Sequence, residues 1–156
     1  MRHVISIVVE DQSGALARIV ELFTSRGYNL ESICSGEAEE VGIHRLTLVT
    51  KGDDRKIRHI IRLLNNIVYV IEVTHLDPIA SISQELMLMK VKINPKIRGK
   101  VLQLIEAYSA DIIEMNGESV SFQIVGQASK LDGVTKVFRE FEIIEMARTG
   151  EAAIHK

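Results

Sequence analysis

The sequence predicts an α+β protein made of two similar halves, each an antiparallel sheet with two helices packed on one face. Three observations lead to this fold. Short runs rich in β-branched residues alternate with segments whose apolar residues recur at helical spacing. The order strand, helix, strand, strand, helix, strand occurs twice along the 156 residues, a length that suits two small domains. This is the order of a ferredoxin-like βαββαβ sandwich.

The first half, residues 2–76, begins with the strand-like run HVISIVVE. An apolar stripe over residues 16–23 then has the i, i+3, i+4, i+7 spacing of an amphipathic helix. Ser13 is suited to cap this helix and Gly27 to end it. The remaining predicted elements are strands at YNLESICSG and VGIHRLTLVTK, a helix capped by Asp53 or Asp54, and a closing strand at IVYVIEVTHL.

The same order returns in the second half. ELMLMKVKI alternates as a strand, and Pro95 suits the first turn of the helix that follows. Asn116-Gly117 joins two further strands in a short hairpin turn, the clearest local signal in the chain. A helical stripe over residues 131–141 and the strand EIIEMAR complete the pattern.

The predicted domains are residues 1–76 and 85–156, joined by a linker over 77–84, where Pro78 stands in a stretch without a clear period. A domain of about 75 residues has a marginal core on its own. The helices would cover one face of each sheet. Apolar strand residues would also lie on the other face, so its exposure to water is unfavourable. We therefore expect a homodimer or a higher oligomer.

The composition argues against several classes of function. The formal net charge of −2 gives no electrostatic support for binding nucleic acid or an anionic membrane, and the apolar runs are far shorter than the roughly 20 residues that span a bilayer. The strand VGIHRLTLV lacks the aromatic residues on which RNA-binding modules of the same order stack bases. The basic residues of the second helix are interpreted as its solvated face. A single cysteine, Cys34, and the lack of a signal peptide indicate a cytoplasmic protein.

No arrangement of residues typical of catalysis is found in the sequence. The five histidines show no metal-ligand spacing. Cys34 lies in a predicted strand where a small buried residue fits, and neither a GxGxxG segment nor a Walker loop occurs. We therefore expect no catalytic residue, no metal site and no cofactor in this chain.

The start of the first helix is the strongest candidate for a binding site. The first N–H groups of a helix lack intrahelical partners and lie at the positive end of the helix dipole, so they attract a carboxylate. Gly14, Ala15 and Leu16 would supply these donors, and the missing side chain of Gly14 lets a ligand approach. Asn29, just inside the next strand, can donate and accept hydrogen bonds and would complete a site across a subunit boundary. These residues suggest a small carboxylate ligand, with a simply capped helix as the alternative.

Several segments agree in place and order with a known family. SGALARIVELFTSRGYNLESI (13–33) carries most of the agreement, and KGDD (51–54), ELMLMKV (85–91), SKLD (129–132) and EIIEMARTG (142–150) follow it. The first half thereby resembles an ACT domain, and nearly the whole chain resembles the small regulatory subunit of acetolactate synthase. A lone G-x-L segment before a helix would be weak evidence for a family, whereas this set of segments, spaced through two domains, is specific evidence.

The resemblance implies a non-catalytic regulatory subunit in the biosynthesis of the branched-chain amino acids valine and isoleucine. It implies an N-terminal ACT domain that dimerises by joining sheets side by side and binds valine at the seam as feedback inhibitor. It also implies a C-terminal ferredoxin-like domain that activates a separate large subunit, which carries thiamine diphosphate, magnesium and FAD and joins pyruvate to pyruvate or 2-oxobutyrate. The ligand-binding positions carried over are Asp11, Gly14, Ala15, Leu16, Leu30 and Ile33, with Asn29 from the neighbouring subunit.

Asp11 departs from the family, which commonly has asparagine at this position. An aspartate that faces the ligand's ammonium group would strengthen the contact through its charge, whereas one that faces the carboxylate would weaken binding. The inferred geometry, with the carboxylate at the helix start, favours the first arrangement. A site that prefers leucine or isoleucine to valine remains an alternative, because one methylene group changes the binding free energy by only ~1–3 kcal/mol. The alternative function is a free-standing ACT-type amino-acid sensor that acts on another enzyme or on a transcriptional partner.

Overall fold

The computed structural model describes residues 1–156 and divides them into two compact units. The elements are β1 (Arg2–Glu10), α1 (Ala15–Ser25), β2 (Asn29–Glu37), β3 (Ile43–Lys51), α2 (Asp54–Asn65), β4 (Val70–Leu76), β5 (Ser81–Lys92), α3 (Arg98–Ala107), β6 (Asp111–Met115), β7 (Ser119–Gly126), α4 (Ala128–Phe138), β8 (Ile143–Arg148) and β9 (Ala152–His155). The first unit is Met1–Ser83 with Gly150–Lys156, and the second is Gln84–Thr149. The predicted α+β fold with two antiparallel sheets is confirmed.

The sheet of the first unit has the strand order β2-β3-β1-β4, with every pair antiparallel. Ile5 of β1 pairs with Leu48 of β3, so alternate residues of the two central strands face the same side. The helices cover that side, where Ile19 and Phe23 of α1 are completely buried. Leu16, which the predicted apolar stripe includes, is instead 45% exposed.

The sequence prediction for α1 is confirmed at the C-terminal end of the helix and is wrong at its N-terminal end. The residue that precedes the helix is Gly14, not Ser13, and no side chain caps the helix start. Gly14 has a φ of 85°, a left-handed conformation that serine adopts rarely and glycine readily. The tight turn therefore puts a residue without a side chain at the cap position. At the other end Gly27 follows the helix with a φ of 66°, as predicted.

Two further local predictions are confirmed. Asp53 caps α2, because its carboxylate accepts the N–H of Lys56 at 2.8 Å. Asn116 and Gly117 lie in the turn between β6 and β7, and the Asn116 side-chain oxygen accepts the N–H of Ser119 at 2.8 Å.

The second unit has a sheet of order β6-β7-β5-β8, again antiparallel. The core of this unit includes Phe122 of β7 and Phe138 of α4, whose ring centroids lie 5.0 Å apart. On the other face of the sheet, Leu88 and Val125 are 43% and 54% exposed. The predicted strand and helix order of the second half is confirmed.

The domain boundaries differ from those that the sequence predicts. The predicted linker, 77–84, already contains the start of β5, which begins at Ser81. Residues 150–156, which the sequence pattern assigns to the second domain, belong to the first unit and contain β9. β9 has only four residues, and its contacts are with strands distant in sequence, so local periodicity carries no signal for it.

A short two-stranded segment covers the sheet face of the first unit that the helices leave open. We call residues 81–83 and 150–156 the ribbon, because β9 pairs with β5. Ala153 is 4% exposed, and its N–H donates to Thr47 Oγ1 of β3 at 3.3 Å. Val49 on the same face of β3 is completely buried. The face that the sequence pattern leaves to water or a partner is therefore partly covered by the chain itself, so this face does not require an oligomer.

His3 and His75 form a contact between β1 and β4. His3 Nδ1 lies 3.1 Å from His75 Nε2, and His3 Nε2 lies 3.1 Å from the carbonyl oxygen of Gly52. The carbonyl can only accept, so neutral His3 carries its proton on Nε2 and its Nδ1 accepts from His75. Burial, and then the charge of His3, lower the pKa of His75, whereas the charges of Asp54 and Asp77 oppose this shift.

Removal of residues 150–156 is expected to destabilise the first unit, although the segment lies at the end of the chain. The deletion uncovers Val49 and leaves Arg2 without the Glu151 carboxylate that it contacts. We expect the free energy of unfolding, measured by urea titration with circular dichroism, to fall by about 1–3 kcal/mol. Ile154→Thr, at a residue 55% exposed, is the control and should change stability by less than about 0.5 kcal/mol. A deletion variant with the unfolding curve of the intact chain would contradict this account of the ribbon.

Acidification is expected to destabilise the chain partly through His75. Because the pKa of His75 is lower in the folded chain than in the unfolded chain, the unfolded chain takes up the proton first. This contribution to stability is therefore lost as the pH falls below about 6.5. We expect His75→Gln to reduce the fall in Tm between about pH 7.5 and pH 5.5 by up to about 4 °C, measured by calorimetry. The exposed His59 of α2 supplies the control His59→Gln, and equal pH dependence in wild type and His75→Gln would refute the assignment.

Candidate functional site

The turn between β1 and α1 is held on both sides by backbone hydrogen bonds. The N–H of Glu10 donates to the carbonyl of Tyr69 at 2.9 Å. The N–H of Asp11 donates to the carbonyl of Gly42 at 2.8 Å. These two bonds hold the start of the turn, at residues 10 and 11, at one end of the first sheet.

Two of the three predicted donors at the start of α1 are available to a ligand. The N–H groups of Gly14 and Leu16 have no hydrogen-bond partner within the chain. The N–H of Ala15 donates to the carbonyl of Gln12 at 3.0 Å, so this residue contributes a buried methyl group and no free donor. A Cβ atom added to Gly14 would meet no atom within 4 Å. The helix start is therefore an open pair of donors at the positive end of a helix dipole, which suits a carboxylate.

Asp11 lies next to this helix start with its side chain 59% exposed. Its Oδ2 atom is 3.8 Å from Nε2 of His44, a neighbour that sequence reasoning does not identify. The contact arises from the register of β1 and β3, in which Glu10 lies opposite Ile43. A pair this exposed contributes little to stability, so the Asp11 carboxylate remains open to a cationic group of a ligand.

The other predicted residues lie at the far end of α1. The helix has 11 residues and is about 16 Å long, with Gly14 just before its first residue and Asn29 beyond its last. Asn29 is exposed and pairs with Lys51 at the end of β3, whereas Leu30 and Ile33 are half-buried and pack against the helix-covered core. Within one chain the predicted residues therefore form two separate groups, and no single protomer brings them together.

β2 connects these two groups along the edge of the sheet. It is the outermost strand on its side, so its outer N–H and C=O groups face no other strand of the chain. It begins at Asn29 and ends at Glu37, which pairs with His44 beside Asp11. The two halves of the predicted site thus lie near the two ends of one free edge.

Two clefts border the helices of the first unit. One, of about 640 Å³, lies between α1 and the end of α2 and reaches Ser13 and Gly14. The other, of about 660 Å³, has a largely basic lining: Tyr28, Asp53, Arg55, Lys56, Arg58, His59 and Arg62. No three His, Cys, Asp or Glu side chains are grouped so as to hold a metal ion. None of the helices combines the length and apolar character that crossing a bilayer requires.

Two family models together match most of the chain. The model described as the small subunit of acetolactate synthase matches residues 84–156. The model described as the AHAS small subunit-like ACT domain matches residues 5–72.

Similar proteins match the chain over nearly its full length. A probable acetolactate synthase small subunit of Methanothermobacter thermautotrophicus is 36% identical over 155 residues, which are 99% of this chain and 92% of the relative. An acetolactate synthase small subunit of Mycolicibacterium smegmatis is 30% identical over 154 residues, covering 99% of this chain and 91% of the relative. The crystal structure of the acetolactate synthase small subunit of Thermotoga maritima superimposes with a TM-score of 0.93 at 31% identity, covering 100% of this chain and 98% of that one.

Proposed function

The chain belongs to the family of acetolactate synthase small subunits, and we propose that it senses valine and controls a separate catalytic large subunit. In this proposal the chain itself is non-catalytic. Its first unit binds the amino acid as a feedback inhibitor, and its second unit activates the large subunit.

The observation that carries the proposal is the open helix start beside Asp11. The unpaired N–H groups of Gly14 and Leu16 suit the carboxylate of an amino acid. The exposed carboxylate of Asp11 suits its ammonium group. All amino acid ligands have a carboxylate and an ammonium group on the same carbon atom, so the site matches the feature that they share. Asp11 is then a favourable replacement for the asparagine common in the family, since it adds charge to the ammonium contact.

The free edge of β2 supports a site completed by a second copy of the chain. If two β2 strands pair antiparallel about a two-fold axis, the start of one strand lies beside the end of the other. Asn29 of the partner subunit would then approach the turn at Asp11 and Gly14. Leu30 and Ile33 lie on β2 close to the same seam and would line it with apolar surface. A homodimer therefore accounts for the separation of the predicted residues within one chain.

The catalytic chemistry is assigned to the large subunit in this proposal. Thiamine diphosphate, magnesium and FAD belong to that partner in this proposal, and the complex would act in the cytoplasm in the biosynthesis of valine and isoleucine. Valine changes the activity only if it binds more tightly to one of two arrangements of the complex. Coupling of this kind is typically 1–3 kcal/mol, a factor of roughly 5 to 150 in affinity.

Thermal unfolding of the purified chain with a panel of amino acids tests the ligand assignment. A ligand at 100 times its Kd stabilises the folded state by ~2.7 kcal/mol, which raises Tm by several degrees. We expect valine to raise Tm. Leucine and isoleucine are measured for comparison, and glycine and serine are the controls. Reconstitution with the large subunit encoded in the same genome then separates the two candidate functions. A free-standing sensor would bind valine and leave the activity of the large subunit unchanged.

Substitution of Gly14 tests the carboxylate site. Gly14→Asp and Gly14→Asn have the same size, and both residue types tolerate a positive φ better than most. The aspartate places a negative charge where the ligand carboxylate binds. We expect Gly14→Asp to lower valine affinity at least about tenfold more than Gly14→Asn, since each tenfold step needs only ~1.4 kcal/mol. Activation of the large subunit should survive in both variants, and equal valine affinity in the two would place the carboxylate elsewhere.

A further inference from the structure

Arg2, at the start of β1, contacts two carboxylates that come from different parts of the first unit. Its Nε atom lies 3.3 Å from Glu31 Oε2 of β2. Another guanidinium nitrogen of Arg2 donates to Glu151 of the ribbon. We call this set of three residues the Arg2 bridge. The planar guanidinium has several donors in fixed directions, so one arginine can hold both carboxylates at once.

The Glu151 end of the bridge is buried. Glu151 is 3% exposed, and its second carboxylate oxygen accepts a hydrogen bond from the hydroxyl group of Ser83. A charge so far from water requires paired partners, and removal of one partner leaves it uncompensated. Arg2 therefore contributes to holding the ribbon on the sheet, together with the bond from Ala153 to Thr47.

The Glu31 end of the bridge lies on the edge strand of the predicted ligand seam. The register of β2 against β3 shifts between Leu30 and Ser32, so Glu31 occupies an irregularity in the strand. The ribbon also contacts β2 directly at this point, because a Cβ atom on Gly150 would lie 3.1 Å from the Cβ atom of Ser32. Both contacts between β2 and the ribbon therefore lie within three residues of Asn29.

The ribbon is also where the chain enters and leaves the second unit. The first unit ends its first stretch at Ser83 and resumes at Gly150. Ser83 and Gly150 both belong to the ribbon. The covalent connections of the first unit to the second therefore both start from the strand pair that the Arg2 bridge holds in place.

We infer that the Arg2 bridge couples occupancy of the β2 seam to the ribbon and, through it, to the second unit. Arg2, Glu31 and Glu151 are positioning residues that do not touch the ligand. In this mechanism, an amino acid that orders the start of β2 fixes the position of Glu31. Arg2 then divides its hydrogen-bond donors differently between Glu31 and Glu151. This change favours one of two positions of the ribbon over the other. The inference rests on the proposed function, since it names how binding at that site is transmitted.

A double-mutant cycle on the full chain tests the bridge. Glu31→Gln, Glu151→Gln and the double variant are each reconstituted with the large subunit, and the valine concentration for half-inhibition is measured together with the uninhibited rate. We expect each single variant to raise that concentration about fivefold or more. Glu31→Gln also removes the contact of Glu31 with Lys51, so the double variant should be little worse than Glu31→Gln, because both break the same connection through Arg2. Valine binding to the small subunit alone, measured by calorimetry, should change less than about twofold in Glu31→Gln.

A matched control and a second measurement protect the test against simple unfolding. Glu21→Gln removes the exposed Arg18–Glu21 pair of the same unit, at 3.2 Å, and should leave inhibition unchanged. Amide hydrogen exchange is measured on the chain without ligand. Glu31→Gln should speed exchange in the ribbon, although the substituted residue lies on another strand, while exchange in the core strand β1 stays at the wild-type rate.

The possible outcomes separate the bridge from the proposed function. Wild-type inhibition in both single variants, or effects that add fully in the double variant, would overturn the bridge. Unchanged exchange in the ribbon of Glu31→Gln would overturn it as well, whatever valine does. A wild-type chain that neither binds valine nor affects the large subunit would instead overturn the proposed function, and the exchange measurement would still decide whether the bridge exists.

Discussion

A β-sheet has two faces, and the two helices of a βαββαβ unit cover only one of them. In the first unit the other face carries buried residues such as Val49 and Thr47, and apolar surface of this kind is costly to leave in water. The chain meets this constraint with its own last residues, which return after the whole second unit to lie on the sheet. The small side chain of Ala153 allows the close approach, and the buried Glu151 orients it through Arg2. The second unit has no such cover, and Leu88 and Val125 remain exposed on its open face.

The helix start at Gly14 is subject to a second constraint. A helix leaves its first N–H groups without intrahelical partners, and here the turn satisfies only that of Ala15. The residues best suited to complete a ligand site around the remaining donors lie at the opposite end of α1, which no bending of one chain can change. In the proposed function, a site that combines Gly14 with Asn29 is therefore assigned to two chains. In that proposed dimer, ligand binding and subunit association would be linked, because each would stabilise the surface that the other uses.

In the proposed function, the two units have different roles. The first unit carries the donors, the carboxylate of Asp11 and the free edge of β2. The second unit is inserted into the first between Ser83 and Gly150, so it is tied to the first unit at both of its ends.

Local sequence patterns determined the order of strands and helices, the glycine that ends α1, the Asp53 cap and the turn at Asn116, because each depends on residues a few positions apart. The same patterns identified Gly14 and Asp11 as neighbours of a helix start. They assigned the cap to Ser13 and counted Ala15 as a free donor, since the left-handed turn at Gly14 and the bond from Ala15 to Gln12 depend on the path by which the chain leaves β1. The proximity of His44 to Asp11, the ribbon and the Arg2–Glu151 contact follow from strand register and from pairs up to 149 positions apart. No periodicity in a window of neighbouring residues records such contacts, because they arise only when the sheet is assembled and its uncovered face selects what packs against it.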